Sequence, residues 1–184
     1  MLHRSLGRSG IEVSVIGFGT WQVLDVHPRE REEERYEVVK AALDSGVTLF
    51  DSSPMYGAAE RVLGEALRKY GRDKAIIATK VWTPDDREAE RQIEDALGFF
   101  QGWIELYQVH NLVAIERRLD MLEALKEEGK VRSIGATHYL HSAFPALMDV
   151  MHSGRVDFVQ VPYNALDMAV TEEVLPLAED LSLV

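Results

Sequence analysis

The 184-residue sequence contains no cysteine, which excludes disulfides, thiolate metal sites and thiol nucleophiles from its chemistry. It also lacks any apolar run close to the ~18 residues that a membrane-spanning helix needs. Basic residues are in the minority, because 20 Lys and Arg stand against 31 Asp and Glu and give a net charge of −11. The arginines from Arg29 to Arg35 are interleaved with glutamates, so there is no basic face for a nucleic-acid backbone. The sequence therefore predicts neither a membrane partner nor a nucleic-acid partner.

The length and the composition are typical of one globular domain. Hydrophobic residues make up 46% of the chain and charged residues 28%, and a chain of this length can bury a substantial core. The first ten residues are polar and rich in glycine, without the apolar centre of a signal peptide. We therefore expect a single domain over residues 1–184 and a cytoplasmic location.

Apolar, strand-like runs recur along the chain at a nearly constant interval of 28 residues, shortening to 25 at the last step, and they begin at Val47, Ala75, Trp103, Val131 and Val156. Between the runs lie segments with helical periodicity, and four of these segments end at a glycine: Gly46, Gly71, Gly129 and Gly154. The runs are largely continuous in apolar character, which is typical of parallel strands buried on both faces. This alternation predicts an α/β fold with a parallel sheet.

Turn residues near the N-terminus predict a β-hairpin ahead of the parallel strands. Leu2–Leu6 and Ile11–Ile16 flank the turn at 7–10, and a further strand is predicted over Ile16–Thr20. Counting that strand gives six β/α units, of which the last ends in a helix from Thr171 to about Asp180. The spacing fits either an open doubly wound sheet or part of a (β/α)8 barrel, and periodicity alone does not choose between them.

In both folds the functional groups gather at the C-terminal ends of the strands, where this sequence places Asp51, Lys80 and His110. Asp51 and Lys80 come from successive strands and could form an ion pair, with Tyr56 on the next loop. An adjacent ammonium would lower the pKa of the Tyr56 phenol and let it donate a proton to a developing alkoxide. His110 could orient a carbonyl group. The same residues also allow structural roles: a stabilising ion pair, a loop anchor and a hydrogen-bonded core histidine.

Two other patterns lack a necessary member. Gly17-Phe18-Gly19 resembles the start of a dinucleotide fingerprint, but Gln22 stands where the third glycine belongs. His138 and His141 have a spacing that could hold a metal, but no third ligand is evident, so no metal is predicted. The acidic stretch 30–37 is predicted to be the solvated face of the first helix.

Several segments, in order along almost the whole chain, resemble the aldo-keto reductase superfamily, and more closely its bacterial branch related to potassium-channel β subunits. They are LGRSGIEVSVIGFGTW (6–21), FDSSPMYGAAERVLGEAL (50–67), the strand-end Lys80, QVHN (108–111), LKEEGKVRSIGATH (125–138) and FVQVPYN (158–164). The resemblance implies a (β/α)8 TIM barrel with the hairpin closing its bottom. It also implies reduction of aldehydes or ketones by NADPH or NADH, with a catalytic tetrad of Asp51, Tyr56, Lys80 and His110.

The resemblance also implies a set of cofactor contacts. Gly19, Thr20 and Trp21 would lie beside the nicotinamide and the substrate, and Gln160 would bind the carboxamide. Asp51 belongs to this set as well as to the tetrad. The family's usual Ser-Asn pair is replaced here by Thr137 and His138, which keeps the hydroxyl but changes the amide to an imidazole.

The family's barrel has eight β/α units, and the sequence accounts for six of them. We therefore expect a C-terminally truncated barrel that lacks the last two units. An open barrel edge favours self-association. The chain by itself is expected to bind NADPH weakly or not at all and to show no appreciable carbonyl reduction. Three functional hypotheses remain: a carbonyl reductase, a cofactor-sensing regulatory subunit with little turnover, and an inactive fragment.

Overall fold

A computed structural model describes residues 1–27 and 31–184 of the chain. Arg29 and Glu30, which begin the interleaved and acidic stretches noted in the sequence, lie outside the described residues. The predicted hairpin is present as the antiparallel strands β1 (His3–Leu6) and β2 (Ile11–Ser14). Between them, 7–9 form a 3-10 turn.

Six parallel strands follow the hairpin and pair strictly in chain order. They are β3 (Phe18–Gly19), β4 (Leu49–Asp51), β5 (Ile76–Val81), β6 (Ile104–His110), β7 (Val131–Thr137) and β8 (Phe158–Gln160). A doubly wound sheet reverses its strand order at a switch point, whereas a barrel does not. The unbroken order therefore confirms the barrel type of α/β fold, with six of its β/α units in this chain.

In the part of the chain that the structure describes, six α-helices cover the outside of the sheet. They are α1 (Glu32–Asp44), α2 (Ala59–Tyr70), α3 (Asp86–Phe99), α4 (Ile115–Glu127), α5 (Phe144–His152) and α6 (Val174–Asp180). The sixth helix starts three residues later than predicted, because residues 169–171 form a separate 3-10 turn that is closed by the Thr171 hydroxyl on the Met168 carbonyl. Within the described ranges, no helix combines the length and the apolar character needed to cross a bilayer.

The prediction that the acidic start of α1 is a solvated face is wrong at Glu32. This side chain is buried, and its carboxylate accepts a hydrogen bond of 2.6 Å from Arg61 of α2. Tyr36, one turn further along α1, donates to the same carboxylate and to Glu65. A guanidinium from the neighbouring helix thus compensates an acid that the local sequence pattern places in water.

The hairpin covers the N-terminal end of the barrel interior. Ile11 and Val13 of β2 pack against apolar side chains that point inward from the sheet, namely Ala78, Leu106 and Phe158. The Ser14 backbone N–H donates to Thr48 Oγ1, directly before β4 begins. The polar strand ends therefore open at the opposite, C-terminal end of the sheet.

A buried ion pair joins β5 to β6 near the end where the hairpin lies. Arg72 donates to both carboxylate oxygens of Glu105 at 3.1 and 3.0 Å, and its guanidinium also reaches three backbone carbonyls. Glu105 in turn accepts the N–H of Ile77 at 2.8 Å. Both charged side chains are almost fully buried, so each depends on the other for compensation of its charge. The pair keeps β5, which carries Lys80, beside β6, which carries His110.

We expect Arg72→Met to lower the free energy of unfolding by about 3–5 kcal/mol, because it leaves the Glu105 carboxylate buried without its cation. The matched control is Arg91→Met, which removes the same charge from exposed, solvent-screened pairs with Glu88 and Asp95 and should change the stability little. Urea denaturation followed by circular dichroism measures both losses. Equal losses in the two variants would contradict the assignment.

Candidate active site

The C-terminal ends of the strands converge on one cleft. Asp51, His110, Thr137 and Gln160 are the last residues of β4, β6, β7 and β8, and Lys80 is the last but one of β5. The cleft has a volume of about 260 Å³, and its lining includes Tyr56, Lys80, His110, Thr137, His138 and Gln160. Most of the residues predicted from strand ends and family resemblance are therefore neighbours in space.

Asp51 and Lys80 form the predicted ion pair. Lys80 Nζ lies 2.7 Å from Asp51 Oδ1 and also donates to the Ser52 carbonyl at 2.8 Å. Lys80 is only 2% exposed, whereas the Asp51 side chain retains 24% exposure. The ammonium is thus held by two acceptors, both at the end of β4, and the carboxylate remains partly hydrated.

Tyr56 reaches this pair from the loop after β4, with its ring centroid 5.6 Å from Lys80 Nζ. The loop is fixed by Asp25, whose carboxylate accepts the Ala58 N–H at 3.0 Å. Gly57 lies between them with a φ of +58°, and a Cβ there would come within 2.2 Å of Asp25 Oδ1. Only glycine fits both the left-handed conformation and this close approach.

The pKa of Tyr56 is raised, which makes the expectation of a lowered value wrong in this structure. Partial burial favours the neutral phenol, and the negative charge of Asp51 opposes a phenolate. The Lys80 ammonium is already engaged by Asp51 and by the Ser52 carbonyl, so less of its charge acts on the phenol. The hydroxyl of Tyr56 therefore keeps its proton at neutral pH.

His110 is a buried, uncharged imidazole beside Tyr56. The two rings meet edge to face at 6.3 Å, and Nδ1 of His110 lies 3.1 Å from the Ser53 hydroxyl. Burial, helped by the charges of Lys80 and His138, lowers the pKa of His110 to about 4. If Ser53 donates to Nδ1, the imidazole proton is on Nε2 and is available to an acceptor.

The three residues predicted as cofactor contacts at the end of β3 have different surroundings. Trp21 is 64% exposed, and its ring centroid lies 6.4 Å from that of Tyr56. Thr20 is fully buried, and its hydroxyl donates to Ser52 Oγ at 2.9 Å. Gly19 pairs with Asp51 and has open space where a Cβ would stand. The Thr20 side chain thus connects the two strand ends, while the exposed Trp21 ring lies beside Tyr56.

On the far side of the cleft, Thr137 and His138 are already oriented by backbone groups. Thr137 Oγ1 donates to the Gln160 carbonyl at 2.8 Å. The Nδ1 of His138 accepts the Leu140 N–H at 3.1 Å, and its ring stacks on Tyr139. Burial lowers the pKa of His138, so the neutral ring carries its proton on Nε2.

No metal cluster is present among the described residues, so the structure gives no reason to revise the expectation of no metal site. His141, the possible partner of His138 in the sequence, instead contacts Asp167 at 2.9 Å.

Sequence reasoning did not single out several residues of the site. Ser53 contacts His110, Asn111 directly follows His110 in the chain, and Tyr139 stacks on His138. Asn111 and Leu112 both have left-handed backbones, with φ of 53° and 56°, so the chain reverses tightly after His110. The signal for this turn in the sequence is an asparagine directly after a strand-end histidine, because asparagine tolerates the left-handed conformation.

The comparisons place the chain in a known family. The family model for the aldo/keto reductase family matches residues 15–184, and the chain therefore belongs to this family. It is 35% identical over 98% of its length to the aldo-keto reductase YhdN of Bacillus subtilis, and 27% identical over 97% to the NADH-specific methylglyoxal reductase of Escherichia coli. A crystal structure of an aldo-keto reductase from Klebsiella pneumoniae in complex with NADPH superposes on the whole chain with a TM-score of 0.82. That protein is 23% identical to this chain, which covers 66% of it, so the similarity is evidence for the fold alone.

The chain spans 59% of the Bacillus protein and 64% of the Escherichia coli protein. The comparisons thus support family and fold directly.

We expect the His110 imidazole to titrate near pH 4 and to titrate at higher pH in Lys80→Met, because the ammonium opposes a second positive charge. Heteronuclear NMR of the histidine rings measures both midpoints. Lys69→Met is the matched control, since Lys69 is an exposed lysine of α2 paired with Glu33. A parent midpoint near 6.5, or an unchanged midpoint in Lys80→Met, would show that His110 is not buried beside Lys80 as described.

Proposed function

We propose that this chain carries the active site of an NAD(P)H-dependent reductase of aldehydes or ketones, with Tyr56 as the proton donor. The observation that supports this proposal is the convergence of a protonated phenol, a buried ammonium–carboxylate pair and a neutral imidazole on one cleft. Either the ion pair or the histidine alone would be compatible with a structural role. Together at the C-terminal end of a barrel they have the composition of a site for carbonyl chemistry.

The residues of the cleft fit the nicotinamide part of such a cofactor. A carboxamide needs one hydrogen-bond donor for its oxygen and one acceptor for its nitrogen. His138 has a free Nε2–H directed by the bond that Leu140 makes to Nδ1, and Gln160 has an exposed amide in the cleft lining. His138 can therefore donate and Gln160 can accept. Trp21 lies beside Tyr56, and its exposed indole could cover an aromatic ring bound next to that residue.

When bound, a reduced nicotinamide cofactor supplies a hydride to the carbonyl carbon. The chain's own residues then handle the oxygen of the substrate. His110, uncharged and with an Nε2–H, orients the carbonyl oxygen by a hydrogen bond, and Tyr56 gives its proton to that oxygen as negative charge develops. The Lys80 ammonium stabilises the negative charge left on the phenol oxygen, and Asp51 holds the ammonium in place.

The proposed substrate is a small aldehyde or ketone. The proposed location of the protein is the cytoplasm. One relative is named a methylglyoxal reductase specific for NADH, and another relative of known structure was crystallised with NADPH. These names support a nicotinamide cofactor, of which we propose NADPH first and NADH second.

A cofactor-sensing subunit with little turnover is the second candidate function. The raised pKa of Tyr56 favours it, because a weaker acid gives up its proton less readily. A single-turnover measurement of cofactor oxidation by a generic aldehyde distinguishes the two candidates, since only a reductase consumes the bound cofactor at a useful rate.

In a chain completed with the last two β/α units, we expect Tyr56→Phe to lower kcat for carbonyl reduction by about 10²–10⁴-fold and to leave the Kd of the cofactor nearly unchanged, because only the transition state uses the proton. Cofactor absorbance measures turnover, and the fluorescence of Trp21 measures binding. Tyr70→Phe is the control, as it removes a hydroxyl that contacts Glu37 on the outside of the barrel. A Tyr56→Phe protein with most of its turnover would show that another group donates the proton.

A further inference from the structure

A buried carboxyl group lies behind the candidate site, on the outer side of the barrel wall. Glu60, in the first turn of α2, is only 5% exposed, and Thr79 Oγ1 of β5 donates to its Oε1 at 2.5 Å. None of the steps proposed for carbonyl reduction uses this group. Its burial has a free-energy cost that a structural glutamate on a helix surface would avoid.

The geometry of β5 connects Glu60 to Lys80. Successive side chains of a strand point to opposite faces, so Lys80 points into the barrel and Thr79 points out to the helices. Asp51 meets Lys80 on the inner face, and Glu60 meets Thr79 on the outer face. The two carboxyl groups thus lie on the two sides of one short piece of strand.

The other polar groups around Glu60 are either uncharged or already paired. Tyr107, opposite Thr79 in the strand register, has a buried hydroxyl without a hydrogen-bond partner among the described residues. A cavity of about 250 Å³ lies next to Glu60 and is lined by side chains of α2 and α3. Besides Glu60, the charged side chains in this lining are Arg61, Arg91 and Asp95. Arg61 binds Glu32 and Glu65, while Arg91 binds Glu88 and Asp95.

Burial, helped by the charge of Asp95, raises the pKa of Glu60 to about 7. The hydrogen bond from Thr79 and the charge of Lys80 oppose this rise. Lys80 is therefore the cation that favours the carboxylate form of Glu60. Because the interaction between two charges is mutual, ionised Glu60 favours the ammonium of Lys80 by the same amount.

We propose that Glu60 is a second counter-charge for the Lys80 ammonium, acting through the barrel wall from the face opposite Asp51. It is a positioning residue: it acts on Lys80 and touches neither substrate nor cofactor. Above neutral pH both carboxylates support the ammonium, and below it Asp51 alone does so. The link to catalysis rests on the proposed function of Lys80, whereas the link between Glu60 and Lys80 does not.

Infrared titration of the protonated carboxyl band tests the link without any measurement of activity. Glu60→Gln identifies the band by removing it. In the parent chain the Glu60 band is expected to disappear with a midpoint near pH 7, and in Lys80→Met the midpoint is expected to be higher. Lys80→Arg keeps the charge and should restore a midpoint close to that of the parent. Lys69→Met, the exposed lysine-to-methionine control, should not move it.

An unchanged Glu60 midpoint in Lys80→Met would overturn the proposal, as would a band already absent at pH 5. Should Lys80→Met fail to fold, the same coupling is measured from the other side by 13Cε NMR of Lys80. There the Lys80 13Cε resonance of the parent is expected to shift through a step near pH 7 as Glu60 ionises, and Glu60→Gln should lack that step. A parent resonance without the step would overturn the proposal.

The effect on catalysis has its own measurement. In a chain completed with the last two β/α units, the kcat of the parent is expected to fall with pH through a step near 7, because ionised Glu60 offsets part of the Lys80 charge that stabilises the phenolate. Glu60→Gln should lack this step, and Glu90→Gln, which changes an exposed acid of α3, should retain it. A step that persists in Glu60→Gln would overturn the positioning role. A parent without turnover would instead refute the proposed reductase function, and the infrared result would still decide whether Glu60 and Lys80 are coupled.

Discussion

The candidate site depends on the cost of placing an ammonium at the end of a buried strand. Lys80 is almost completely removed from water, so its charge must be compensated by fixed acceptors. Asp51 and the Ser52 carbonyl provide them, and both lie at the end of β4. The two hydrogen bonds that Lys80 donates therefore also hold β4 beside β5, and they position the start of the loop that carries Tyr56.

Burial is the main cause of the protonation states of the neighbours of Lys80, and the charges of the ion pair act in the same direction. An uncompensated ammonium would draw the Tyr56 phenol toward ionisation, but here burial and Asp51 outweigh it and the proton remains. The ammonium still acts on His110, where burial works in the same direction and keeps the imidazole neutral. A hydroxyl donor and a neutral imidazole are thus set side by side by one paired cation, which is an arrangement suited to an uncharged carbonyl group.

The repeating strand and helix pattern could be predicted from the sequence, because strands covered on both faces are apolar throughout and their spacing is regular. The choice of a barrel could not be predicted from that spacing, because it lies in the strand order. Asp51, Lys80 and His110 could be found as polar residues at strand ends. The pKa of Tyr56 could not, because the sequence shows which charges are near but not which are already compensated. The burial of Glu32 could not be predicted for a related reason, because the guanidinium that compensates its charge, that of Arg61, comes from another helix.

His138 illustrates how a change of residue type is completed by its surroundings. An asparagine can donate and accept at once, whereas a neutral imidazole offers one of each on opposite sides of its ring. The Leu140 N–H occupies the acceptor, Nδ1, and leaves the donor, Nε2–H, for a ligand. A carboxamide bound here must then find its acceptor elsewhere, and the amide of Gln160 at the end of the next strand lies in the same cleft. Under the proposed function, recognition of the carboxamide would be divided between His138 and Gln160 at two neighbouring strand ends, which the Thr137 hydroxyl holds together through the Gln160 carbonyl.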